Sequence, residues 1–266
     1  MTAPMRLVDT GLRSARRNVA ITAAMAELHR VGQIPDTLRL CLYPRSVLVG
    51  CRQAADHAVH LKRCRRSRIE VARRVTDGGA VYLSGGVLAW DVVAERYRFG
   101  VRTSDVCERI CCGIAAGLVR FGLPARFRPP GDVEIDGRTI SATSGMIDGP
   151  TIVFQGTVLI DLAVAEMAAV LRSPAASRRR DATADLARRV TSLSEWLGRV
   201  PSVNELRGLL VAGVSHHWGC DLYYDAAGHD EVELAERLLD EGVGTDAFAA
   251  APLAAPANAA HRAMRA

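Results

Sequence analysis

The chain has 266 residues, of which 49% are hydrophobic and 24% are charged, and its formal net charge at pH 7 is +5. This length suits one large α/β domain, or a large domain followed by a small one. No apolar run approaches the roughly 18 residues that a membrane span needs, and the first residues lack the apolar stretch of a secretory signal. We therefore expect a cytoplasmic protein that has no membrane partner.

The positive charge comes almost entirely from arginine, because Lys62 is the only lysine. It is not concentrated enough to predict nucleic-acid binding, and no nucleic-acid-binding motif is present. It is compatible with an acidic partner protein or with an adenylate. The seven cysteines include no C-x-x-C pair, which argues against both a disulfide framework and a zinc ribbon.

The first half of the chain alternates between strand-like and helix-like segments. Ser14 is a suitable N-cap for a helix over 14–30, in which apolar residues recur at helical spacing. A second helix over about 104–121 is ended by Gly122, with Pro124 beyond it. Strands are predicted over 6–11, 37–43, 46–50, 69–75 and 87–93, and a polar helix over 53–66.

The second half starts with β-structure and then becomes helical. Residues 132–135 and 138–142 flank Asp136-Gly137, a sequence typical of a hairpin turn. Two further strands are predicted over 151–154 and 157–160. Helices are predicted over 163–171, from the capping-box pattern at 202–205 through 214, and over about 231–239.

This change of character divides the chain into three predicted parts. Residues 1–162 form the large, β-rich part of the main domain. Residues 163–245 form its remainder and a small helical accessory part, with an interrupting charged run at 177–181. Residues 246–266 are rich in alanine and proline, and we expect them to be disordered.

A glycine loop at residues 75–80 is the feature around which the other motifs are arranged. Arg73 and Arg74 precede it, and Gly78 and Gly79 lie within it. The two glycines permit positive φ and let backbone N–H groups approach a ligand. The two guanidiniums match phosphate or carboxylate oxygens. The same pattern is also typical of a glycine-rich hairpin beside a solvated arginine pair.

Three segments lie in an order that one family shares. Residues 73–82 read Arg-Arg-Val-Thr-Asp-Gly-Gly-Ala-Val-Tyr, 131–141 read Gly-Asp-Val-Glu-Ile-Asp-Gly-Arg-Thr-Ile-Ser, and 155–159 read Gln-Gly-Thr-Val-Leu. Together with shorter matches, they resemble the lipoate–protein ligase branch of the biotin/lipoate protein ligase superfamily over about residues 7–247. The resemblance implies an α/β fold with a mixed sheet flanked by helices. The shorter matches lie at 7–11, 37–39, 49–53 and 189–193.

The resemblance also implies a reaction. In the family, Mg²⁺ and ATP convert the carboxylate of lipoate or octanoate into an acyl-adenylate such as lipoyl-AMP, which then acylates one lysine of a lipoyl-carrier domain. The glycine loop would wrap the acyl-adenylate, Arg74 would reach acyl or phosphate oxygens, and Asp132 would face the metal or the adenylate. Without the family context, Asp132 merely begins a strand and Arg74 pairs with a surface carboxylate.

The candidate ligand-binding residues that the resemblance supplies surround the glycine loop and the two later segments. They are Arg73, Arg74, Gly78, Gly79, Ala80, Val81, Tyr82, Asp132, Arg138, Ser141, Gln155, Gly156 and Thr157. Arg74 and the residue at the family lysine position, Thr139, are the candidate catalytic positions, and Asp132 is the candidate metal ligand.

The chain departs from the family pattern at several of these positions. Thr139 stands where the family has its catalytic lysine, and a hydroxyl cannot supply the charge of an ammonium. Arg138 is a poor substitute, because neighbouring strand residues point to opposite faces. Asp77 replaces the first glycine of the family triplet and adds a negative charge near the expected adenylate. Further departures are Leu83 and Gln155 at histidine positions and Gly131 at the asparagine position.

These departures leave three functions open. The protein is either a divergent, weakened ligase or a non-catalytic paralogue that binds a lipoylated carrier, an acyl ligand or an active ligase partner. The third possibility is a cysteine-dependent octanoyl or lipoyl transferase. The segment 126–132, where such relatives carry the cysteine, contains none.

The remaining cysteines and histidines offer weaker alternatives. Cys64 lies in a basic segment, which would lower its pKa. Cys111 and Cys112 would lie inside the helix over 104–121. The spacing of His216, His217 and Cys220 is compatible with a metal site as well as with histidines satisfied by ordinary hydrogen bonds.

Overall fold

The computed structural model describes residues 3–172 and 182–252. Within these ranges the strands are β1 (Met5–Leu12), β2 (Thr37–Leu42), β3 (Ser46–Val49), β4 (Glu70–Arg73), β5 (Val81–Leu83), β6 (Val87–Glu95), β7 (Arg126–Arg128), β8 (Asp132–Ile135), β9 (Arg138–Asp148), β10 (Thr151–Leu159) and β11 (Leu222–Tyr224). The helices are α1 (Ala15–Arg30), α2 (Ala55–Ala58), α3 (Leu61–Arg66), α4 (Thr103–Val119), α5 (Val164–Val170), α6 (Ala182–Ala187), α7 (Leu193–Leu197), α8 (Val203–Trp218), α9 (His229–Glu241) and α10 (Asp246–Ala250), with a 3₁₀ turn at Arg96–Arg98.

A mixed sheet forms the centre of the molecule, with strand order β11-β1-β2-β6-β10-β9-β8-β7. β1 runs parallel to β2 and β11, and the other neighbours in this sheet are antiparallel. β4, β3 and β5 form a separate sheet with β3 in the middle. The glycine loop joins β4 to β5 in this smaller sheet. The predicted mixed α/β architecture is confirmed.

The central strand β6 shows why helices cover both faces of the large sheet. Leu88, Trp90 and Val92 alternate into one apolar cluster, whereas Ala89 and Val93 alternate into the other. Both sets are buried, so each face needs a covering layer. α4 and α8 pack in the first cluster, and α1 and α9 pack in the second.

Close packing between α4 and α8 depends on glycine. A Cβ atom on Gly213 of α8 would lie 2.3 Å from the Cα atom of Gly117 on α4. The two backbones therefore touch where neither residue has a side chain. No helix among the described residues combines the length and apolarity that crossing a membrane requires.

Two predicted helix starts are confirmed by their caps. The Ser14 hydroxyl accepts a hydrogen bond from the N–H of Arg17 at 3.3 Å, and the Ser202 hydroxyl accepts one from the N–H of Glu205 at 3.1 Å. Each bond satisfies a backbone donor that the first helical turn leaves unpaired.

Three sequence-based predictions of secondary structure need correction. The polar helix over 53–66 is two short helices, α2 and α3, separated by Val59 and His60. The strands predicted over 151–154 and 157–160 are one strand, β10, because Gly156 fits beneath the Trp90 ring; a Cβ there would lie 2.1 Å from it.

The third correction concerns the C-terminal segment. Residues 246–250 are not disordered but form α10, and its Phe248 is buried. Residues 253–266 lie outside the described part of the chain, as does the charged run at 177–181. The division of the chain at residue 163 stays a prediction.

Candidate functional site

A cavity of about 390 Å³ lies between the small sheet and the large one. β3, β5 and the glycine loop bound it on one side, and β6, β9 and β10 bound it on the other. Its lining combines apolar residues and glycines with polar and charged residues. The lining residues are Tyr43, Leu48, Arg74, Gly78, Gly79, Ala80, Val81, Leu83, Ala89, Asp91, Asp132, Ala142, Thr143, Ser144, Gln155, Gly156, Thr157 and Arg189.

Arg74 organises the glycine loop from within. Its Nη2 donates to the backbone carbonyls of Asp77 and Gly79, both at 2.8 Å, and its Nη1 donates to the carbonyl of Leu48 at 3.3 Å. Its Nε donates to the Thr76 hydroxyl at 3.2 Å. Burial lowers the pKa of Arg74 to about 10. No carboxylate among the described residues forms an ion pair with Arg74, so its positive charge is not neutralised within this site.

The glycine requirement of the loop is strongest at Gly78. Its φ is +103°, and a Cβ there would lie 2.9 Å from the Arg74 Nη2 atom and 3.3 Å from the Ser144 Cβ atom. Gly50 is equally restricted, because its Cβ would lie 2.1 Å from the carbonyl oxygen of Gly78. A loop of this shape needs both glycines.

A chain of hydrogen bonds connects the buried core to the glycine loop. Arg39 Nη1 donates to Asp91 Oδ2 at 2.7 Å, and both side chains are buried. Gln155 Nε2 donates to the other Asp91 oxygen at 3.0 Å, and Thr76 Oγ1 donates to Gln155 Oε1 at 2.8 Å. The Asp91 carboxylate thereby fixes which way the Gln155 amide points.

A polar cluster lies beside the cavity on β7, β8 and β9. Arg128 donates to Asp132 Oδ2 at 2.5 Å, to Glu134 Oε2 at 3.1 Å and to the Thr139 hydroxyl. The Thr139 hydroxyl also donates to Asp132 Oδ2, at 3.2 Å. Both bonds to Asp132 use Oδ2, and Oδ1 makes none with any residue that the structure describes.

Four predicted ligand-binding residues, Arg73, Tyr82, Arg138 and Ser141, lie outside the cavity lining. Arg73 is fully buried, and its guanidinium donates only to backbone carbonyls, those of Gly50, Cys51, Gln53, Phe248 and Ala249. It joins the small sheet to α10 and does not line the cavity.

The alternation of side chains along β5 places Tyr82 on the face that is turned away from the cavity. Val81 and Leu83 line the cavity, so the side chain between them on β5 belongs to the opposite face. Its hydroxyl donates to Glu166, and its ring packs in the cluster around Val47.

The predicted β9 residues Arg138 and Ser141 are also separated from the cavity lining. Arg138 forms an ion pair with Glu195 at 2.6 Å and does not line the cavity. Ser141 is buried outside the lining, and its Oγ has no hydrogen-bond partner among the residues that the structure describes. Asp77 does not line the cavity, and its carboxylate is paired with Arg52. The negative charge of Asp77 is therefore compensated.

The structure places no cysteine of the described ranges in the cavity lining. The expectation for Cys64 is wrong, because burial raises the pKa of its thiol despite the nearby arginines. Cys107 and Cys111 lie one turn apart on α4; the hydrogen bond between them lowers the pKa of Cys107 and raises that of Cys111. Both cysteines are buried.

The metal alternative at His216, His217 and Cys220 has no geometric support. In residues 3–172 and 182–252, no three histidine, cysteine or acidic side chains are grouped as a metal site requires. Burial lowers the pKa of His217 and raises that of Cys220.

Several polar residues in or beside the cavity were not among the candidate ligand-binding residues, and they include Asp91, Arg39 and Arg189. Asp91 is a charged residue within the otherwise apolar strand β6, and Arg39 is a charged residue within the neighbouring strand β2. Because charged residues are rarely buried unless paired, opposite charges in two buried strands indicate that the two side chains pair. Arg189 opens the family match at 189–193, but nothing in that match placed its side chain at the cavity, because it follows a helix far along the chain from the other lining residues.

Two curated proteins are similar to most of this chain. Octanoyltransferase LipM of Symbiobacterium thermophilum is 26% identical over 92% of this chain and 98% of its own length. Lipoate-protein ligase A subunit 1 of Thermoplasma acidophilum is 26% identical over 88% of this chain and 91% of its own length.

Solved structures share the fold. A chain from the structure of a bipartite lipoate protein ligase and its E2 lipoyl domain, from T. acidophilum, has a TM-score of 0.83 at 24% identity; the match covers 96% of this chain and 100% of that one. A lipoate-protein ligase A bound with ATP has a TM-score of 0.82 at 23% identity, with coverages of 93% and 98%. The family model of the lipoyl protein ligase A/B catalytic domain matches residues 14–215, which is more than half of the sequence. The chain therefore belongs to the lipoyl protein ligase A/B catalytic domain family.

Proposed function

We propose that the protein binds a lipoyl or octanoyl group in the cavity and attaches it to a lysine of a lipoyl-carrier domain, through an acyl-adenylate made from ATP. The observation that supports this most strongly is a cavity with partly apolar walls that holds a buried guanidinium, Arg74, without a carboxylate partner in the described ranges. Apolar walls suit an alkyl chain, and the positive charge of Arg74 attracts an anionic head group although most of its N–H groups are already bound within the protein. The cavity volume lies within the range of about 300–1,000 Å³ typical of small-molecule sites.

The proposed reaction has two steps. A carboxylate oxygen of the acid attacks the α-phosphorus of ATP and pyrophosphate leaves; the carrier lysine then attacks the acyl carbon and AMP leaves. The residues of this chain contribute mainly by orientation. Arg74 and Gly78 hold the glycine loop in one shape, and Asp91 fixes Gln155 beneath it. Groups that are held in place before the reaction avoid the cost of ordering them during it.

Asp132 is the residue that fits a nucleotide-borne Mg²⁺. Such an ion needs one or two protein carboxylates in addition to phosphate oxygens, and it neutralises phosphate charge. Asp132 lines the cavity, and its Oδ1 has no partner within the described ranges. Asp91, the other acidic residue of the lining, is already bound by Arg39 and Gln155.

A non-catalytic paralogue is the second candidate, and the cavity lining itself favours it. The lining contains neither lysine nor cysteine, and Lys62 lies on α3 of a different part of the surface. The Thr139 hydroxyl is already bound to Arg128 and Asp132. In this role the protein would bind a lipoylated carrier, an acyl ligand or an active ligase. A cytoplasmic location is proposed for either role.

A direct assay separates the candidates. The protein is incubated with octanoate or lipoate, Mg-ATP and lipoyl-carrier domains, and the mass of each carrier and the release of pyrophosphate are measured. A parallel sample offers an octanoylated carrier as donor without ATP. Acylation that needs ATP supports the ligase. Transfer without ATP supports an acyltransferase instead. No product with any carrier, together with binding of a lipoylated carrier, supports the paralogue and contradicts the enzyme.

Thr139→Lys provides a second test of the active site. The new ammonium would lie beside the Arg128 guanidinium, which donates to residue 139. We therefore expect a larger gain in the Thr139→Lys/Arg128→Gln double variant than in the single one. Restoring a cation at a transition state is worth about two to three decades in rate. A double variant with unchanged pyrophosphate release would contradict the placement of the reaction at this end of the cavity.

A further inference from the structure

The arginines around the cavity differ in how many of their donors are already occupied. Arg39 is neutralised by Asp91, and four of the five N–H groups of Arg74 donate to the protein. Both terminal nitrogens of Arg128 already donate hydrogen bonds. Nη1 donates to Glu134 and to the Gly137 carbonyl, and Nη2 donates to Asp132 and to the Thr139 hydroxyl. None of these side chains has a full guanidinium edge available for a ligand.

Arg189 is different. It lines the cavity and is exposed, and its side chain forms neither an ion pair nor a hydrogen bond with any residue in the described ranges. The adjacent Arg188 is paired with Asp185, and Arg138 is paired with Glu195. Arg189 therefore presents at the cavity a planar guanidinium whose N–H donors are not bound to any described residue.

The backbone of Arg189 is fixed next to residue 139. The Thr139 N–H donates to the Arg189 carbonyl at 2.8 Å, and the Thr191 N–H donates to the Thr139 carbonyl at 2.9 Å. The Arg189 N–H donates to the carbonyl of Leu186 at 2.9 Å, which ties this segment to the end of α6. An arginine anchored here enters the cavity from the chain that borders Thr139, where the other cation, Arg128, is already bound to Asp132 and Thr139.

The charges near Asp132 and Thr139 favour an additional cation for binding an anionic head group. Asp132 lines the same cavity, and the Arg128 guanidinium that neutralises it is thereby occupied. A guanidinium can bind two oxygens of a carboxylate or phosphate at once, which a threonine hydroxyl cannot do.

We propose that Arg189 binds the anionic head group of the acyl ligand and thereby supplies the cation that residue 139 does not. This inference rests on the proposed acyl-binding function and names the residue that recognises charge. The head group is the carboxylate of the free acid or the phosphate of its adenylate.

Ligands that differ only in charge test the proposal. Isothermal titration calorimetry compares octanoate, neutral octanamide and an octanoyl-adenylate analogue with a sulfamate in place of the phosphate. We expect Arg189→Gln to weaken binding of at least one anionic ligand by about tenfold, in line with a charge-assisted hydrogen bond, and to leave octanamide unchanged. Arg189→Lys should recover part of the loss, and added salt should reduce the preference for anions in the wild-type protein only.

Arg188→Gln is the matched control, because Arg188 is the exposed neighbour outside the cavity lining. If Arg189→Gln weakens the binding of octanoate alone, Arg189 binds the carboxylate of the free acid. If it weakens the binding of the adenylate analogue alone, Arg189 binds the phosphate of the adenylate. Equal binding of every ligand by the wild-type protein and Arg189→Gln overturns this inference and leaves the proposed function standing. A wild-type protein that binds none of the three ligands overturns both. Circular dichroism checks that each variant is folded.

Discussion

At the scale of single residues, Arg73 and Arg74 have different surroundings although they are adjacent in sequence. Arg73 donates to carbonyls that include those of α10, whereas Arg74 donates to carbonyls of the glycine loop. Successive strand residues point to opposite faces. One arginine therefore holds the C-terminal segment, and the other shapes the proposed ligand site.

Gly78→Ala tests how far the site depends on the loop conformation. The added Cβ would lie 2.9 Å from Arg74 Nη2 at a φ of +103°, so the loop must move or strain. We expect the free energy of unfolding to fall by about 1–3 kcal/mol and octanamide affinity to fall by roughly tenfold or more. Urea denaturation and calorimetry measure the two effects.

Gly79→Ala is the control, because no atom lies within 4 Å of the position that its Cβ would take and its φ is outside the left-handed region. It should change both quantities much less. Equal effects of the two substitutions would show that loop flexibility, rather than the contact with Arg74, controls the site.

At the scale of single elements, β6 combines a structural and a functional role. Its apolar residues alternate into the two cores of the molecule, and Asp91 among them lines the cavity. Asp91 accepts hydrogen bonds from Arg39, Thr22 and Gln155. The strand thus connects the packing of α1 to the orientation of Gln155.

Asp91→Leu should therefore destabilise the protein strongly. It leaves the buried Arg39 guanidinium without its counter-charge, and breaking a buried ion pair costs about 3–5 kcal/mol in free energy of unfolding. The double variant Arg39→Met/Asp91→Leu should be less destabilised than Asp91→Leu, because it removes both charges. Urea denaturation of both variants measures the difference.

The exposed pair between Arg199 and Glu205 provides a comparison for this prediction. Glu205→Gln should produce no measurable change, since exposed ion pairs contribute little. If the double variant at positions 39 and 91 were less stable than Asp91→Leu alone, the uncompensated charge would not be the main cause of the loss.

At the scale of the whole molecule, Asp36 joins several elements at the start of β2, an interior strand of the large sheet. Its carboxylate accepts from the backbone N–H of Glu95 on β6 at 2.7 Å and from Arg98, and it contacts the His29 ring on α1 at 2.9 Å. Its backbone carbonyl accepts from Arg6 of β1. Burial by itself would raise the pKa of Asp36, but these hydrogen bonds outweigh burial and hold the pKa below its usual value.

This lowered pKa gives Asp36 a defined effect on acid stability. A carboxyl with a lower pKa in the folded state stabilises the protein above its unfolded pKa, near pH 4, and the contribution is lost as the pH falls through the folded value. Asp36→Asn should reduce the free energy of unfolding at pH 7 by about 1–3 kcal/mol, and the two proteins should converge towards pH 2. Denaturant titrations at several pH values measure the difference, and a constant difference at all pH values would contradict the prediction.

The sequence alone determined the local features of this protein. The periodicity of α1 with its Ser14 cap, the hairpin at Asp136-Gly137 and the glycine loop all follow from residues close together in the chain, and the order of the motifs was enough to indicate the family. Only the tertiary structure decided which side chains meet. Arg128 reaches Thr139 through the pairing of β7, β8 and β9, and Arg189 reaches the cavity from 50 residues beyond Thr139. The physical reason is that helix and strand signals depend on neighbouring residues, whereas the charge balance of a site depends on contacts that form only when distant segments pack together.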